Sequence, residues 1–300
     1  MLRVTSNTLA TRLTTDLTRL SSTQSRLTQQ MATGRRLLEA SDDVPATGRV
    51  MSYDSEKRAL QQYERNAQRA LTNIAVSSTA LGSIKSITNQ VFNLAPAAAS
   101  SGDPDAQSAL ATQIDGLLEQ VFSLANSQVS GTYLFGSQET ATAPFSATRD
   151  PATNRITNVT YLGSPDPAAE VAVSENASVA TLNSGAQNQE LATLLNNLSD
   201  LRDAVLANDK AAMATYQNAI GDDESNVVNM ISTLSTSQFR IKTTQEQNTI
   251  RFNQLAELSG NETEIDLAET IIKYQSAERS YEAALKAGSN LLQQSLLDYI

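Results

Sequence analysis

Hydrophobic residues near the N-terminus recur at alternating spacings of three and four. They are Ala10, Leu13, Leu17, Leu20, Leu27 and Met31, with the polar Gln24 completing the series. A repeat of this kind predicts an amphipathic helix whose narrow apolar seam packs against a partner helix. Gly34 then interrupts the repeat. Asp42 and Asp43, placed just before Pro45, predict a turn and the N-cap of a second helix.

The same periodicity predicts five more helices. Their approximate ranges are 46–94, 104–128, from 188 onward, 209–258 and from Gly260 to the end of the sequence. Pro96 and the run Gly102–Asp103–Pro104 are expected to break the second helix, because proline lacks a backbone N–H. A helix of about 50 residues is roughly 75 Å long. The stretch 209–258 therefore indicates a helical rod rather than a globule.

The last predicted helix keeps the alternating spacing to its end. Its seam is expected to run through Leu267, Ile271, Tyr274, Glu278, Tyr281, Leu285, Gly288, Leu292, Ser295 and Tyr299. The final segment 296–300 reads Leu-Leu-Asp-Tyr-Ile, which is unusually apolar for a solvated chain end. We expect this C-terminal segment to be buried against another surface in the functional state of the protein.

A short central region follows a different pattern. Four of the seven prolines fall between 144 and 167, and none lies in 1–44 or 168–300. The runs 131–136, 158–162 and 170–173 alternate in polarity or carry β-branched residues, as strands do. The sequence therefore predicts a small β-rich domain over about 133–183, inserted between helical segments.

Charge is distributed unevenly along the chain. The formal net charge is −10, which is unfavourable for nucleic-acid binding. Residues 1–40 carry six arginines and two acids, whereas residues 261–300 carry seven acids and three bases. The opposite signs of these two ends favour the pairing of the first helix with the last. No apolar run approaches the length of a membrane span, and no cleavable signal segment is recognisable, so neither a membrane nor signal cleavage is expected.

The composition leaves little room for catalysis. The chain has no cysteine and no histidine, which excludes thiol and imidazole chemistry. It also lacks the glycine patterns of dinucleotide-binding and phosphate-binding loops. Carboxylates cluster at Asp42–Asp43 and at 222–224, and we interpret both clusters as helix caps or solvated faces rather than as a glycosidase pair. No enzymatic activity, cofactor or metal is therefore expected.

Three blocks of sequence carry a family resemblance. The first runs from Ala32 to Leu37 and continues in Ser41–Ala46; it resembles the stretch that follows the N-terminal helix in the flagellin family. The second is Gly131–Ser137, followed by Thr140, Ala143, Pro144 and Phe145. The third comprises Ile265–Glu269, Ala283–Leu285 and Ser295–Ile300. The second and third blocks are similar to the hook–filament junction branch of that family.

The resemblance implies a function and a set of partners. Proteins of this kind are bacterial, are exported unfolded through the flagellar type III apparatus, and assemble outside the cell in a ring between hook and filament. The implied partners are further copies of the chain, a hook-associated junction protein on the hook side, flagellin on the filament side, and an export chaperone before secretion. Subunits are expected to become ordered when their terminal helices pack with those of their neighbours.

The expected fold is mainly α: a long antiparallel, coiled-coil-like helical rod of paired N- and C-terminal helices with an inserted small β-rich domain. Residues 1–43 and 261–300 are expected to form the inner tube, 44–132 and 184–260 the rod, and 133–183 the outward domain. The expected assembly interface consists of seam and tip residues: Leu13, Leu17, Leu20, Leu27, Met31, Ile271, Tyr274, Tyr281, Leu285, Leu292, Leu296, Leu297, Tyr299 and Ile300.

Three alternative functions are also compatible with the sequence. A short filament flagellin would share the terminal helices and differ in the second block and the C-terminal ending. A coiled-coil signalling or secretion-tip protein would explain the heptads but not three family blocks in order. An enzyme that relies on acids alone would need Asp42, Asp222 or Asp223 for turnover.

Overall fold

The computed structural model describes residues 6–297, with the side chains of Thr8 and of residues 11–290. The described residues form six helices: α1 (Ser6–Thr33), α2 (Val44–Ser100), α3 (Pro104–Ala125), α4 (Gly185–Leu206), α5 (Lys210–Thr263) and α6 (Leu267–Leu297). The predominance of helix confirms the expected mainly α class. Gly34 directly follows α1 with a φ of 69°, a left-handed conformation that glycine adopts without strain.

The strands fall into three separate antiparallel hairpins between α3 and α4. They pair β1 (Gln128–Val129) with β2 (Thr132–Tyr133), β3 (Phe145–Arg149) with β4 (Ile156–Tyr161), and β5 (Glu170–Ser174) with β6 (Ala177–Ala180). The predicted run 131–136 is strand only at Thr132–Tyr133. Leu134 and Phe135 leave the strand and insert into the core, where both are almost completely buried.

The expected break at Pro96 is wrong, because α2 continues through this residue to Ser100. Proline cannot donate the helical hydrogen bond to the carbonyl four residues earlier, which belongs to Phe92. The side-chain amide of Gln217 in α5 donates to that carbonyl oxygen instead, at 3.4 Å. A contact from a residue 125 positions away thus satisfies the group that Pro96 leaves unpaired.

Several predicted helix ends shift because local caps decide them. The α4 helix begins at Gly185 rather than near 188, since Ser184 and Gln187 form a capping box. The α5 helix extends beyond its predicted end near 258, through Gly260 to Thr263, and α6 begins after Gly260 as predicted. Asp266 defines the start of α6 by accepting the backbone N–H of Glu269 at 3.1 Å.

The chain divides into two compact units. Unit 1 comprises the described residues up to Ala59 together with those from Arg251, and unit 2 comprises residues 60–250. The earlier division into tube, rod and outward domain concerns the assembled protein and stays a prediction.

Unit 2 has an extensive hydrophobic core. The helices α3 and α4 pack against each other, and α4 also packs against β4. The largest buried apolar side chains include Ile74, Leu81, Ile84, Ile114, Leu118, Phe135, Phe145, Ile156, Leu191 and Leu194. The side chain of Asn196 in α4 anchors β4 by accepting the backbone N–H of Val159 at 2.7 Å and donating to its carbonyl at 3.0 Å.

A buried arginine joins α3 to α4 inside unit 2. The side chain of Arg202 is 1% exposed, and its Nη1 lies 2.6 Å from Oδ1 of Asp115. Its remaining donors bind Asp203 at 2.8 Å and the hydroxyl of Ser199 at 3.1 Å. No pattern along the sequence predicts this pair, because 87 residues separate Arg202 from Asp115.

Asp223 in α5 is the most deeply buried acid of the cluster at 222–224. The residue is 5% exposed, and its Oδ2 accepts a hydrogen bond from Nδ2 of Asn197 at 2.6 Å. Burial raises the pKa of the Asp223 carboxyl, and the nearby charges of Asp222 and Glu190 raise it further against the opposing effect of Asn197. The ionised carboxylate therefore weakens the folded state at neutral pH.

We expect Asp223→Asn to raise the melting temperature at neutral pH by a few degrees. The folded carboxyl holds its proton more tightly than the unfolded one, so its stabilising effect is present at low pH and is lost as the pH rises through the folded pKa. The advantage of the variant should therefore shrink on acidification. Circular dichroism melts from about pH 7 to about pH 4 measure this, with the exposed Glu257→Gln as control. A pH-independent difference would contradict the prediction.

Candidate functional site

Within unit 1, α1 and α6 form an antiparallel pair. Near the end of the pair where α1 begins, Leu13 lies so close to Gly288 that a Cβ on the glycine would overlap Cδ2 of the leucine. At the other end, Arg35 and Glu264 form an antiparallel β-bridge. The predicted pairing of the first and last helices is therefore present in the single chain.

The predicted seam of α1 points inward. The positions Leu13, Leu17, Leu20, Gln24, Leu27 and Met31 are half-buried, while most of the other described side chains of this helix are exposed. Burial remains partial, because α6 is the only helix that packs extensively against α1 among the described residues.

The inward stripe of α6 differs from the predicted one. It consists of Thr270, Tyr274, Ala277, Tyr281, Ala284 and Gly288, which are the buried or half-buried positions between 267 and 290. Their spacing of four and three is a heptad repeat made largely of small residues, which let two helices approach closely. Of the predicted seam, Tyr274, Tyr281 and Gly288 lie on this stripe.

Ile271 and Leu285 lie beside the stripe and are 39% and 46% exposed. The prediction followed the large apolar residues, whereas the observed stripe contains the small ones next to them. Leu292, Leu296 and Leu297 belong to the part of α6 whose side chains are not described, and Tyr299 and Ile300 lie outside the described residues. Whether these residues form an assembly interface is still a prediction.

The connectors at the base of the helix pair are joined by backbone hydrogen bonds. The N–H of Arg36 donates to the carbonyl of Thr263 at 2.7 Å, and the N–H of Ile265 donates to the carbonyl of Gly34 at 3.1 Å. These bonds tie the chain between α1 and α2 to the chain between α5 and α6. We call the connector 34–43, Arg49 and residues 262–265 the clasp.

The Arg36 guanidinium is the centre of the clasp. Its Nε and Nη2 donate to the carbonyl oxygen of Glu262 at 3.2 and 2.9 Å, and its Nη1 donates to Oδ2 of Asp43 at 3.1 Å. The carbonyl of Arg36 accepts from the side-chain amide of Gln30 at 2.8 Å. One residue therefore contacts the end of α1, the start of α2 and the end of α5.

The two adjacent acids of the connector have separate structural roles. Asp43 caps α2 by accepting the N–H of Ala46 at 3.0 Å. Asp42 accepts the N–H groups of Leu38 and Glu39 at 2.9 and 3.1 Å and forms an ion pair with Arg26 at 2.9 Å. The interpretation as a helix cap is confirmed for Asp43, whereas Asp42 binds backbone N–H groups of the connector and Arg26.

Hydrogen bonds determine the electrostatics of the clasp. The N–H of Glu39, followed by that of Leu38, lowers the pKa of Asp42, and the N–H of Ala46, followed by Arg36, lowers the pKa of Asp43. A lowered carboxyl pKa gives stability that is present at neutral pH and lost as the pH falls through the folded value. We therefore expect acidification to loosen the clasp.

Two bidentate ion pairs fasten α2 to α5 within unit 1. Arg49 contacts both carboxylate oxygens of Glu262 at 2.7 and 3.0 Å. Arg251 contacts those of Glu56 at 2.7 and 3.1 Å. The hydrogen bond from Arg49 lowers the pKa of Glu262. No pattern along the sequence predicts these pairs, which join residues about 200 positions apart.

Unit 1 contrasts with unit 2 in how little it buries. Among its described side chains, Ala46 and Leu255 are the only fully buried apolar ones. The described residues contain no cluster of three or more acidic side chains that could hold a metal ion. None of the described helices is both long and apolar enough to span a membrane.

This geometry defines a class of helical protein whose two ends pair with each other. Residues 4–140 match the family described as the bacterial flagellin N-terminal helical region. The match covers slightly less than half of the chain and agrees with the resemblance noted in the sequence. The match includes α1, the clasp connector, α2 and α3.

Individual relatives extend the comparison. Flagellar hook-associated protein 3 of Escherichia coli K12 is 30% identical over 120 residues, which are 39% of this chain and 38% of that protein. The alignment thus spans less than half of the relative. A candidate flagellar hook-associated protein from Vibrio parahaemolyticus has a similar structure, with a TM-score of 0.63, 18% identity, and coverage of 74% of this chain and 100% of the other.

A flagellar junction protein, FlgL, from Legionella pneumophila also has a similar structure. The TM-score is 0.53 at 12% identity, and the match covers 72% of this chain and 100% of the other. Likenesses at these identities establish a shared fold, which agrees with the expected helical architecture and its small β-rich insertion.

We expect Arg36→Ala to open the clasp while leaving unit 2 folded. The variant loses the donors to Glu262 and Asp43, so amide exchange at 34–36 and 263–265 should become faster by about tenfold. Arg35→Ala is the matched control, because the exposed Arg35 side chain forms no ion pair among the described residues. Hydrogen–deuterium exchange of the monomer measures the effect, and equal rates in the two variants would contradict this role for Arg36.

Proposed function

We propose that this chain is a structural subunit of the bacterial flagellum that connects hook to filament. The match of residues 4–140 to the bacterial flagellin N-terminal helical region and the similarity to relatives named as hook-associated proteins support this role. The junction role is favoured over that of a filament flagellin by the name of the Legionella protein, which shares the fold. The subunit would work outside the cell after export without a cleaved signal.

The observation that carries the proposal is the exposed apolar surface of unit 1. On α6, Leu267 is 54% exposed, Ile271 39%, Ile272 65% and Leu285 46%. Complete burial of a fully exposed side chain of this size is worth roughly 1.5–3 kcal/mol, so covering each of these partly exposed ones contributes a fraction of that free energy. A pair of helices with almost no core of its own gains this free energy only from neighbours.

The mechanism that we propose is assembly through the terminal helices. The clasp holds α1 and α6 in register, so that each subunit presents the same apolar flank to the next. Residues 1–43 and 261–300 would form the inner tube, 44–132 and 184–260 the helical rod, and 133–183 the outward domain. The predicted interface is the set of seam and tip residues of which Leu13 is the first and Ile300 the last. Neighbouring subunits would cover these residues.

The proposed partners follow from the same role. Copies of the chain would form a ring, with a hook-associated junction protein on the hook side and flagellin on the filament side. An export chaperone would cover the terminal segments before secretion. Coverage of these segments in the cell would prevent early polymerisation.

Labelled antibody on intact flagella tests the location. We expect labelling confined to the base of the filament, next to the hook, and filament loss in a strain that lacks the protein. Labelling along the whole filament would instead identify a filament flagellin. No labelling of flagella in a strain that expresses the protein would overturn the flagellar role.

We expect the double substitution Ile271→Asp and Leu285→Asp to abolish filament attachment without unfolding the monomer. Both side chains are already partly exposed in the single chain, so the melting temperature should fall by no more than a few degrees. In the assembly, however, the new charges would be buried without partners. Electron microscopy counts the attached filaments, and immunoblots of the medium verify export.

The matched control for this pair is Glu278→Gln, which lies between the two sites on the same flank of α6 and removes a charge. It should assemble normally. Wild-type numbers of attached filaments in the double variant would show that this flank of α6 stays solvent-exposed in the flagellum.

A further inference from the structure

The long helices α2 and α5 of unit 2 share a stretch in which neither buries a large apolar side chain. From 60 to 72, the buried side chains of α2 are those of Ala67 and Ala70. From 242 to 250, the one buried side chain of α5 is that of the polar Asn248. Packed helices usually have axes about 8–10 Å apart, and side chains as short as these fill little of that space. Another element must therefore complete the interior here.

The β5–β6 hairpin supplies large apolar side chains to this interior. Val173 in β5 and Val179 in β6 are 0% and 1% exposed. Both belong to the same continuous buried cluster as Ala67 and Ile241. We call this hairpin, residues 170–180, the strap. Although it follows the β-rich part of the sequence, it is part of the core that the helices form.

The strap is hydrogen-bonded to both long helices. Nδ2 of Asn66 in α2 donates to the carbonyl oxygen of Ala172 at 2.9 Å. Nδ2 of Asn248 in α5 donates to the carbonyl oxygen of Val173 at 2.8 Å. Two adjacent residues of one strand are therefore bound by two different helices.

A β-bulge at Val173 makes this double attachment possible. Ala172 pairs with Ser178, and Ser174 pairs with Ala177. Val173, which lies between these two pairs, has no partner in β6. In a regular strand the carbonyls of successive residues point to opposite sides, so two adjacent residues could not both bind groups outside the hairpin. The bulge removes Val173 from the ladder and leaves its carbonyl free to bind α5.

Two further hydrogen bonds at this level are more accessible to solvent. Arg240 in α5 donates to the carbonyl of Ser178 in β6 at 3.4 Å. Gln245 in α5 donates directly to Oε1 of Glu64 in α2 at 3.0 Å. Water competes for exposed hydrogen bonds more than for buried ones, so these contacts hold the helices less firmly than the buried amide of α5 does.

We propose that the strap is a conformational lock that holds α2 and α5 together over this stretch, with Asn66 and Asn248 as its two anchors. Because neither helix buries a large apolar side chain here, the two helices open locally when the strap leaves. While the strap is bound, both helices are protected against such opening. The asparagines are thus positioning residues, since each stabilises the opposite helix through the hairpin.

Hydrogen–deuterium exchange of the full-length monomer tests the lock. The variant Asn248→Ala leaves the buried carbonyl of Val173 without its donor, so we expect amide exchange at 170–180 to become about tenfold faster. Exchange at 60–72 in α2 should rise by a similar factor. This second effect is decisive, because a purely local role of the asparagine in α5 would leave α2 unchanged.

The matched control is Asn229→Ala, which removes an exposed asparagine of α5 whose side-chain amide bonds to no described residue. It should change exchange in neither region. The α4 helix is the internal reference and should exchange at the wild-type rate in both variants. Wild-type exchange at 60–72 in Asn248→Ala would overturn the proposal. An equal rise in α4 would overturn it too, because the stretch would then open only with the whole unit.

The reciprocal variant Asn66→Ala provides a second readout from the other end of the strap. It should speed exchange at 170–180 and also at 242–250 in α5. Wild-type exchange at 242–250 would mean that the hairpin is attached to α2 without holding α5, which contradicts the lock. Both measurements use the monomer, so a negative result would leave the junction role unaffected.

Discussion

The fold of unit 1 depends on the hydrogen bonds of one guanidinium group. Arg36 binds the carbonyl of Glu262 and the carboxylate of Asp43, and these two residues belong to the end of α5 and the cap of α2. With the backbone bonds at Thr263 and Gly34, this fixes where the first and last helices leave the rest of unit 1. Because unit 1 has almost no apolar core, polar contacts perform the positioning that packing performs elsewhere.

The two units differ in how much apolar surface they bury. Unit 2 buries large side chains between α3, α4 and the hairpins, and even its buried Arg202 is paired. Unit 1 leaves Ile271 and Leu285 in solvent beside a stripe of small residues. In the role that we propose, such a subunit would be stable through unit 2 before assembly, and unit 1 would supply the surface whose burial drives assembly.

Sequence reasoning succeeded where the information is local. The heptad of α1, the stop at Gly34, the cap at Asp43 and the strands near Val159 and Val171 all follow from neighbouring residues. The predictions were wrong or incomplete where a residue far away in sequence determines the local structure. Gln217 satisfies the carbonyl that Pro96 leaves free, and Arg49 finds Glu262 across 213 positions. The hydrophobic pattern along the chain does not show which residues far apart in sequence come into contact.

The predicted seam of α6 differs from the observed stripe for another reason. Large apolar residues are assigned to an interior by default, yet close approach of two helices favours small ones, here Ala277, Ala284 and Gly288. The large residues are then displaced to the flank, where a single chain cannot cover them. In the assembly that we propose, a neighbouring subunit would cover this flank, so hydrophobicity along the chain would predict burial in the assembled state. It does not distinguish contacts within a subunit from contacts between subunits, and the position of the small residues provides that distinction.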